Sequence, residues 1–263
     1  MDDAARHNIA RWQGLADADA LFTRPALDLT LETARERVDA DGLLGELAGR
    51  DVLCLAGGGG QQSAAFGLLG ANVTVVDLSE PQLVRDREAA AHYGFRVRTL
   101  QGDMRDLSAV EGSAFDIVYQ PYSLGFVPDA RVVFAQVARV LRPGGVYFFT
   151  IGNPFYAGLS EADWNGEGYT LKLPYVDGAE YIWPEADWVY SRADHPNVVV
   201  PECREYRQTL STLLNGLVGL GFHLIHLSDS LHLNPDLHEP PGTWAHRNAI
   251  APAWLAFWVR YEG

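Results

Sequence analysis

Cysteine is scarce in this chain: Cys54 and Cys203 are the only two among 263 residues, too few for a disulfide framework. Cys54 falls in an apolar run and reads as a small core residue, and the scarcity fits a reducing, cytoplasmic compartment. A basic run is also missing, and the formal net charge is -14. That balance disfavours nucleic-acid backbones and anionic lipid surfaces as partners. No apolar stretch reaches membrane-spanning length, and the opening "MDDAARHNIARW" lacks the basic-then-apolar pattern of a secretory leader. Internal repeats and low-complexity tracts are absent. Histidines gather in the second half (His195, His226, His232, His238, His246), but "HLNPDLHEP" matches no established ligand spacing, so no metal site is expected. Against these absences stand 48% apolar and 21% charged residues, the balance of a soluble globular chain. The length suits one large α/β domain or two small ones.

Periodicity divides the chain. Helical stripes are expected at 4–14 and 31–47. Short apolar runs then read as buried strands: Val52–Ala56, Val73–Asp77, Arg96–Leu100, Phe115–Tyr119 and Val146–Ile151. Helices are expected between them, at about 62–69, 80–93 and 129–141, the last with Asp129 as N-cap. Strand alternating with helix predicts a parallel sheet covered on both faces. The rhythm breaks over 152–203, which is rich in glycine, proline and aromatics: Phe155, Tyr156, Trp164, Tyr169, Tyr175, Tyr181, Trp183, Trp188 and Tyr190. "YTLKLPYVDG" and "EYIWPE" read there as short strands joined by turns. A helix from Tyr206 to Leu220, a strand at Phe222–Leu227, a long loop at roughly 228–251 and a final strand complete the pattern.

The chemistry concentrates in "DVLCLAGGGGQQSAAFGLLGANVTVVDLSE", residues 51–80. A strand that runs into glycines and then a helix presents free backbone N–H groups without Cβ obstruction, and the helix start favours an anion. The next strand ends in Asp77, where a carboxylate can accept from both hydroxyls of a ribose. The crossover therefore reads as a site for a nucleoside-containing cofactor. A dinucleotide fingerprint fits imperfectly, because Gln62 stands where its third glycine belongs. Three further stretches carry the reading on. "LQGDMRDL" ends a strand in Gly102-Asp103, where the carboxylate can accept from an exocyclic amine and the Met104 N–H can donate to a ring nitrogen. "DIVYQPYSLGFVPD" ends the fourth strand at Gln120-Pro121-Tyr122, on the edge where open α/β sheets bind ligands. "RVLRPGGVYFF" is a helix end, a tight turn and a strand.

In that order these features resemble the class I S-adenosylmethionine-dependent methyltransferases. The likeness is strong over about 50–150 and topological over 204–260. "VLCLAGGGGQQ" further resembles a bacterial subgroup whose turn ends Gly-Gly-Gly-Gln-Gln. The resemblance implies a Rossmann-like, mostly parallel seven-stranded sheet with an antiparallel last strand, helices on both faces and S-adenosyl-L-methionine as cofactor. It implies N-terminal helices over 1–49, a core over 50–151 and 204–263, and an aromatic-rich cap inserted at 152–203. Carried over residue by residue, the turn Ala56, Gly57, Gly58 and Gly60 would approach the methionine part. Asp77 with Leu78 would take the ribose, Gln82 would line the adenine or ribose pocket, and Asp103 and Met104 would take the adenine. Gln120 and Tyr122 join this cofactor-binding set. The usual acid of the first strand is Cys54 here and the usual first glycine is Ala56, so Gln61 or Gln62 is expected to replace the lost polar contact.

Methyl transfer from a sulfonium is an in-line displacement, which requires a positioned nucleophile and exclusion of water. The acceptor is expected to be a small molecule under the aromatic cap, contacted by residues among Asn153, Tyr175, Trp183, His195 and Asp229. Most cap aromatics should form a small secondary core, with one or two rings facing the acceptor. No catalytic base is assigned. His7, Arg11 and Trp12 share a face of the first helix, which either packs on the sheet edge or closes over the cofactor. Two other functions fit part of the pattern: an NAD-dependent oxidoreductase, favoured by the turn and Asp77, and a non-catalytic S-adenosylmethionine-binding module, favoured by the departures at Cys54 and Ala56.

Overall fold

A computed structural model describes residues 2–157, 159–183, 189–191, 193–195 and 197–263. Trp188 of the aromatic stretch lies outside the described residues. Helix α1 (Asp3–Asp17) starts on Asp2, whose carboxylate accepts from the Ala5 N–H. Helix α2 (Leu31–Asp39) starts on a capping box between Thr30 and Thr33. It was expected to reach residue 47 and stops at Asp39, whose buried carboxylate accepts from the Leu44 N–H while Gly42 and Gly45 take left-handed backbone. A buried acid with a local partner here outweighs the leucine periodicity.

The alternation then follows as strand β1 (Asp51–Leu55), helix α3 (Gln62–Leu68), β2 (Asn72–Asp77), α4 (Glu80–Tyr93), β3 (Val97–Gln101), β4 (Phe115–Gln120), α5 (Ala130–Val140) and β5 (Leu141–Gly152). Asp129 caps α5 by accepting from the Arg131 N–H. Strand β5 begins five residues before the expected Val146, because Leu141 already pairs with Phe115 across an irregular register. In the region expected to be a cap, β6 (Glu180–Trp183) pairs antiparallel with β7 (Cys203–Tyr206) in a two-stranded sheet of its own. The "YTLKLPYVDG" stretch forms no strand beyond a bridge from Tyr169 to Trp164. Tyr206, expected to open a helix, therefore lies in a strand, and α6 (Leu210–Val218) starts later on its Thr209 cap. After β8 (Phe222–Ser228), the segment expected as loop carries a short helix, α7 (Trp244–Ile250), capped by Thr243. Strand β9 (Trp254–Tyr261) ends the fold.

The main sheet has the order β3-β2-β1-β4-β5-β9-β8. Pairing is parallel from β3 through β5, and β9 runs antiparallel between β5 and β8. As expected, the two last strands form an antiparallel pair at the edge of the sheet: β9 alone is reversed, and β8 holds the outer position. The order turns back between β1 and β4, so the crevice past their carboxyl ends is the topological switch point where open α/β sheets bind ligands. One core, including Val133, Val137, Tyr147 and Phe149, packs between the sheet and α5; the other, including Ala65, Phe66, Leu83 and Phe148, packs on the opposite face. Helix α1 lies across the carboxyl edge. Its Asn8 amide donates to the Phe126 carbonyl at 3.0 Å, and Trp12 meets the Phe126 ring edge-on at 6.0 Å. Of the two placements open to this helix, it takes the one over the crevice.

Candidate active site

The turn after β1 is held by backbone that only glycine adopts readily. Gly58, Gly59 and Gly60 have φ of 80°, 84° and 80°, and Ala56 joins them at 50°. A Cβ at Gly60 would stand 2.7 Å from the Arg85 carbonyl oxygen and 2.8 Å from Cβ of Pro25. A buried acid of α4 braces this turn from behind. Asp86 is 3% exposed, and its Oδ1 accepts from the Gly60 N–H at 2.7 Å and from the Ser63 hydroxyl. Burial pushes its carboxyl up to about 6, against the pull of those donors. Sequence reasoning passed over Asp86. The signal was its place with Gln82, Leu83, Ala89 and Ala90 on the one buried face of α4.

Beneath α1 lies a narrow cavity. Asn8, Trp12, Ala56, Gly58, Asp77, Leu78, Met104, Ser123 and Phe126 line it. Five residues expected to bind cofactor thus meet in one space. Asp77 accepts from the Ser79 N–H at 2.8 Å and from the Gly58 backbone, and burial raises its carboxyl to about 7. Beside the turn, several buried polar atoms lack a protein partner: Gln62 Oε1, Ser79 Oγ, and both Oε1 and Nε2 of Gln82. Such atoms are costly to bury unpaired and are normally satisfied by a ligand or water. With the ring of left-handed glycines and the buried carboxylate, they fit a polar, hydroxyl-bearing ligand.

Other expected residues are engaged elsewhere. The Gln61 amide donates to the carbonyls of Phe22 and Arg24, tying the segment after α1 to the turn. Between the two glutamines expected to replace the lost acid, Gln62 is therefore the one with a free buried oxygen. The Arg105 guanidinium occupies both Asp103 oxygens and reaches on to Asp2 of α1. Gln120 accepts from the Tyr147 hydroxyl and donates to Met104 Sδ and Ser123 Oγ, each at 3.1 Å. Its amide is fully satisfied inside the core.

On the acceptor side, Tyr122 donates its hydroxyl to Glu205 of β7, at 3.1 Å, and is not among the residues that line the narrow cavity. Asn153 donates to the Pro252 carbonyl and accepts from the Phe155 N–H, so it builds the turn after β5. Tyr175 stacks on Phe155 and accepts from the Leu210 N–H at the start of α6. Trp183 packs against Tyr156 and Tyr181, in the secondary core expected of the cap. His195 is half-exposed, and Asp229 is exposed beyond the outer strand β8. The structure does not bring these five together. Among the described residues, no group of three or more metal-ligating side chains converges.

Residues 53–149 match a family model described as a methyltransferase domain. The chain is 40% identical over 108 residues to the uncharacterized methyltransferase YbaJ of Bacillus subtilis, covering 41% of this chain and 42% of that protein. It is 33% identical over 163 residues to a ubiquinone biosynthesis O-methyltransferase of Aromatoleum aromaticum, covering 60% of this chain and 64% of that one. The chain thus spans about half the length of the curated relatives it matches. Among solved structures, an S-adenosylmethionine-dependent methyltransferase from Mesorhizobium loti superposes with a TM-score of 0.61 at 23% identity, covering 89% of this chain and 100% of that one. The fold is shared with that S-adenosylmethionine-dependent methyltransferase. Residues 53–149 carry the match to the methyltransferase-domain family.

Proposed function

We propose that the protein transfers a methyl group from S-adenosylmethionine to a small-molecule acceptor. The observation that carries this reading is the cavity at the ends of β1 and β2, where the glycine turn and the buried carboxylate of Asp77 meet beneath α1. Asp77 accepts the ribose hydroxyls. The backbone of Ala56 and Gly58, with Gln62, takes the methionine part. Leu78 and Met104 flank the adenine, with Gln82 beside the turn. The bound cofactor supplies a methyl carbon made electrophilic by its sulfonium. The chain's own part is to orient the two reactants and to keep water out. Helix α1 serves the second purpose through Asn8, Trp12 and its ties to Phe126 and Arg105. The exposed Trp244 and its neighbour Trp254, which meets Tyr122 edge-on, suit an acceptor with an apolar body.

Calorimetric titration with S-adenosylhomocysteine, with NADH in parallel, tests the cofactor. Micromolar binding of S-adenosylhomocysteine without NADH binding is expected. NADH binding alone would overturn the reading in favour of hydride transfer. Turnover of S-adenosylmethionine with an acceptor separates an enzyme from a module that merely binds.

A further inference from the structure

Glu205 is a buried acid that the sequence gives no reason to notice. It is 2% exposed on β7, and among the described residues no cation pairs with it. Its Oε2 accepts from the Tyr181 hydroxyl at 2.7 Å and from the Tyr122 hydroxyl at 3.1 Å, and the Cys203 thiol lies 3.8 Å from Oε1. The neighbouring arginines are turned to other partners. Arg204 pairs with Asp3 and Glu180, and Arg207 donates to the carbonyls of Leu173 and Ala157. Desolvation raises the Glu205 carboxyl above the usual range, against the pull of Tyr181, Trp183, Tyr122 and Cys203. An isolated buried carboxylate is costly, and stitching a hairpin to the core would need only a glutamine.

The cluster also stands in a telling place. Tyr122 follows the end of β4 and Gly152 is the end of β5, on the carboxyl edge of the sheet. A Cβ on Gly152 would stand 3.0 Å from the Tyr122 hydroxyl, 3.4 Å from that of Tyr181 and 3.7 Å from Glu205 Oε2. Any larger residue would crowd all three oxygens. From the half-buried Tyr122, rings lead outward: Trp254 meets it edge-on at 6.2 Å, and Trp244, 44% exposed, follows 5.5 Å beyond.

We propose that Tyr122 and Glu205, supported by Tyr181, form a proton relay for the methyl acceptor, and that the acceptor is a hydroxyl of phenol-like acidity. The proposal rests on the methyl-transfer reading above. A tyrosine that donates to Glu205 keeps oxygen lone pairs with which to accept from an acceptor O–H. The acceptor proton passes to the Tyr122 oxygen as the Tyr122 proton passes to Glu205 Oε2. The acceptor oxygen uses its freed pair to form the bond to the methyl carbon. The bond from that carbon to sulfur breaks, and its pair stays on sulfur. The products are a methyl ether and the neutral thioether, and Glu205 returns its proton to water through Tyr122 as product leaves. Burial beside Glu205 raises the Tyr122 phenol well above its ordinary range, so Tyr122 passes a proton on only in concert with Glu205, and among neutral hydroxyls one of phenol-like acidity gives its proton up most readily. A carboxylate acceptor brings no proton and meets a buried anion. An ammonium would be held by that anion as its unreactive cation.

The test uses the whole chain with S-adenosylmethionine and three probes: catechol, benzylamine and benzoate. Products are read by mass, and S-adenosylhomocysteine binding is read by calorimetry on the same samples. Methylation of catechol above the other two is expected. Glu205→Gln and Tyr122→Phe should lower kcat about 100-fold. Glu205→Gln should also erase the low-pH limb of the rate profile, which reports protonation of this carboxylate. Tyr181→Phe removes a donor that favours the charged form, so it should move that limb up by about one pH unit. S-adenosylhomocysteine binding without catechol turnover, or with only benzylamine or benzoate methylated, overturns the proposal. So does a catechol rate and pH profile that Glu205→Gln leaves unchanged. Failure of the wild-type protein to bind S-adenosylhomocysteine overturns the methyl-transfer reading itself.

Discussion

The two sides of the crevice handle buried acid in opposite ways. On the glycine-turn side, Asp77, which lines the cavity, is held by backbone, the Ser79 and Gly58 N–H groups, while Asp86 behind the turn takes the Gly60 N–H and the Ser63 hydroxyl. On the cap side, Glu205 is held by side-chain hydroxyls from two other parts of the chain, Tyr122 and Tyr181. Backbone donors are fixed and cannot exchange a proton with a ligand under ordinary conditions. Tyrosine hydroxyls can. The first arrangement suits binding and the second suits proton transfer.

Gly60→Ala breaks the binding side most severely. It forces a Cβ into the Arg85 carbonyl and Pro25 on left-handed backbone, at a cost of about 2–4 kcal/mol. A lower melting temperature and S-adenosylhomocysteine affinity reduced at least 100-fold are expected. Next comes Asp77→Asn, which removes charged acceptors and should weaken that affinity by about 10- to 100-fold, or about 1.5–3 kcal/mol. It should also flatten the pH dependence of binding. With the Asp77 carboxyl raised to about 7, wild-type affinity increases as pH rises from about 6 to about 8, because the ribose hydroxyls require the ionised form. The stability of the ligand-free fold runs the other way. The folded value lies above the ordinary 3.8, so the contribution of this group is full below about 4 and is lost as pH rises through about 7. Thermal unfolding across that window reads it out.

Trp12→Ala opens the lid side of the same cavity. A roughly tenfold faster release of S-adenosylhomocysteine in stopped-flow displacement is expected, from loss of about 1–1.5 kcal/mol of aromatic contact. The smallest effect belongs to Asp103→Asn. Because Arg105 already occupies both its oxygens, affinity should change less than threefold. A larger loss would return Asp103 to direct contact with the adenine.

This contrast also governs what could be read from the chain before its fold was known. The turn and Asp77 lie within one βαβ unit, where a local pattern fixes the geometry. The parallel sheet followed from strand–helix alternation for the same reason. Asp103 carried a local pattern too, yet the partner that occupies it, Arg105 bridging to Asp2, is set by how α1 docks. Helix α2 ran short because a buried Asp39 closed it, and α7 was missed because seven residues between prolines and glycines give too little periodicity. Glu205 was illegible for a stronger reason. In "CREYR" it looks like any charged residue of an exposed strand, and only the pairing of β7 with β6 against the end of β5 turns it inward. Tyr175 and Asn153 had the right residue types but their polar atoms complete backbone structure instead.

The central claim is that Asp77 in its buried cavity binds the ribose of the cofactor. Calorimetric titration of S-adenosylhomocysteine at pH 6.5, in two buffers of different ionisation enthalpy, tests it most directly. The account predicts release of a substantial fraction of a proton on binding in the wild-type protein and none in Asp77→Asn. Binding that is equally tight in both proteins, with no proton released in either, would contradict it.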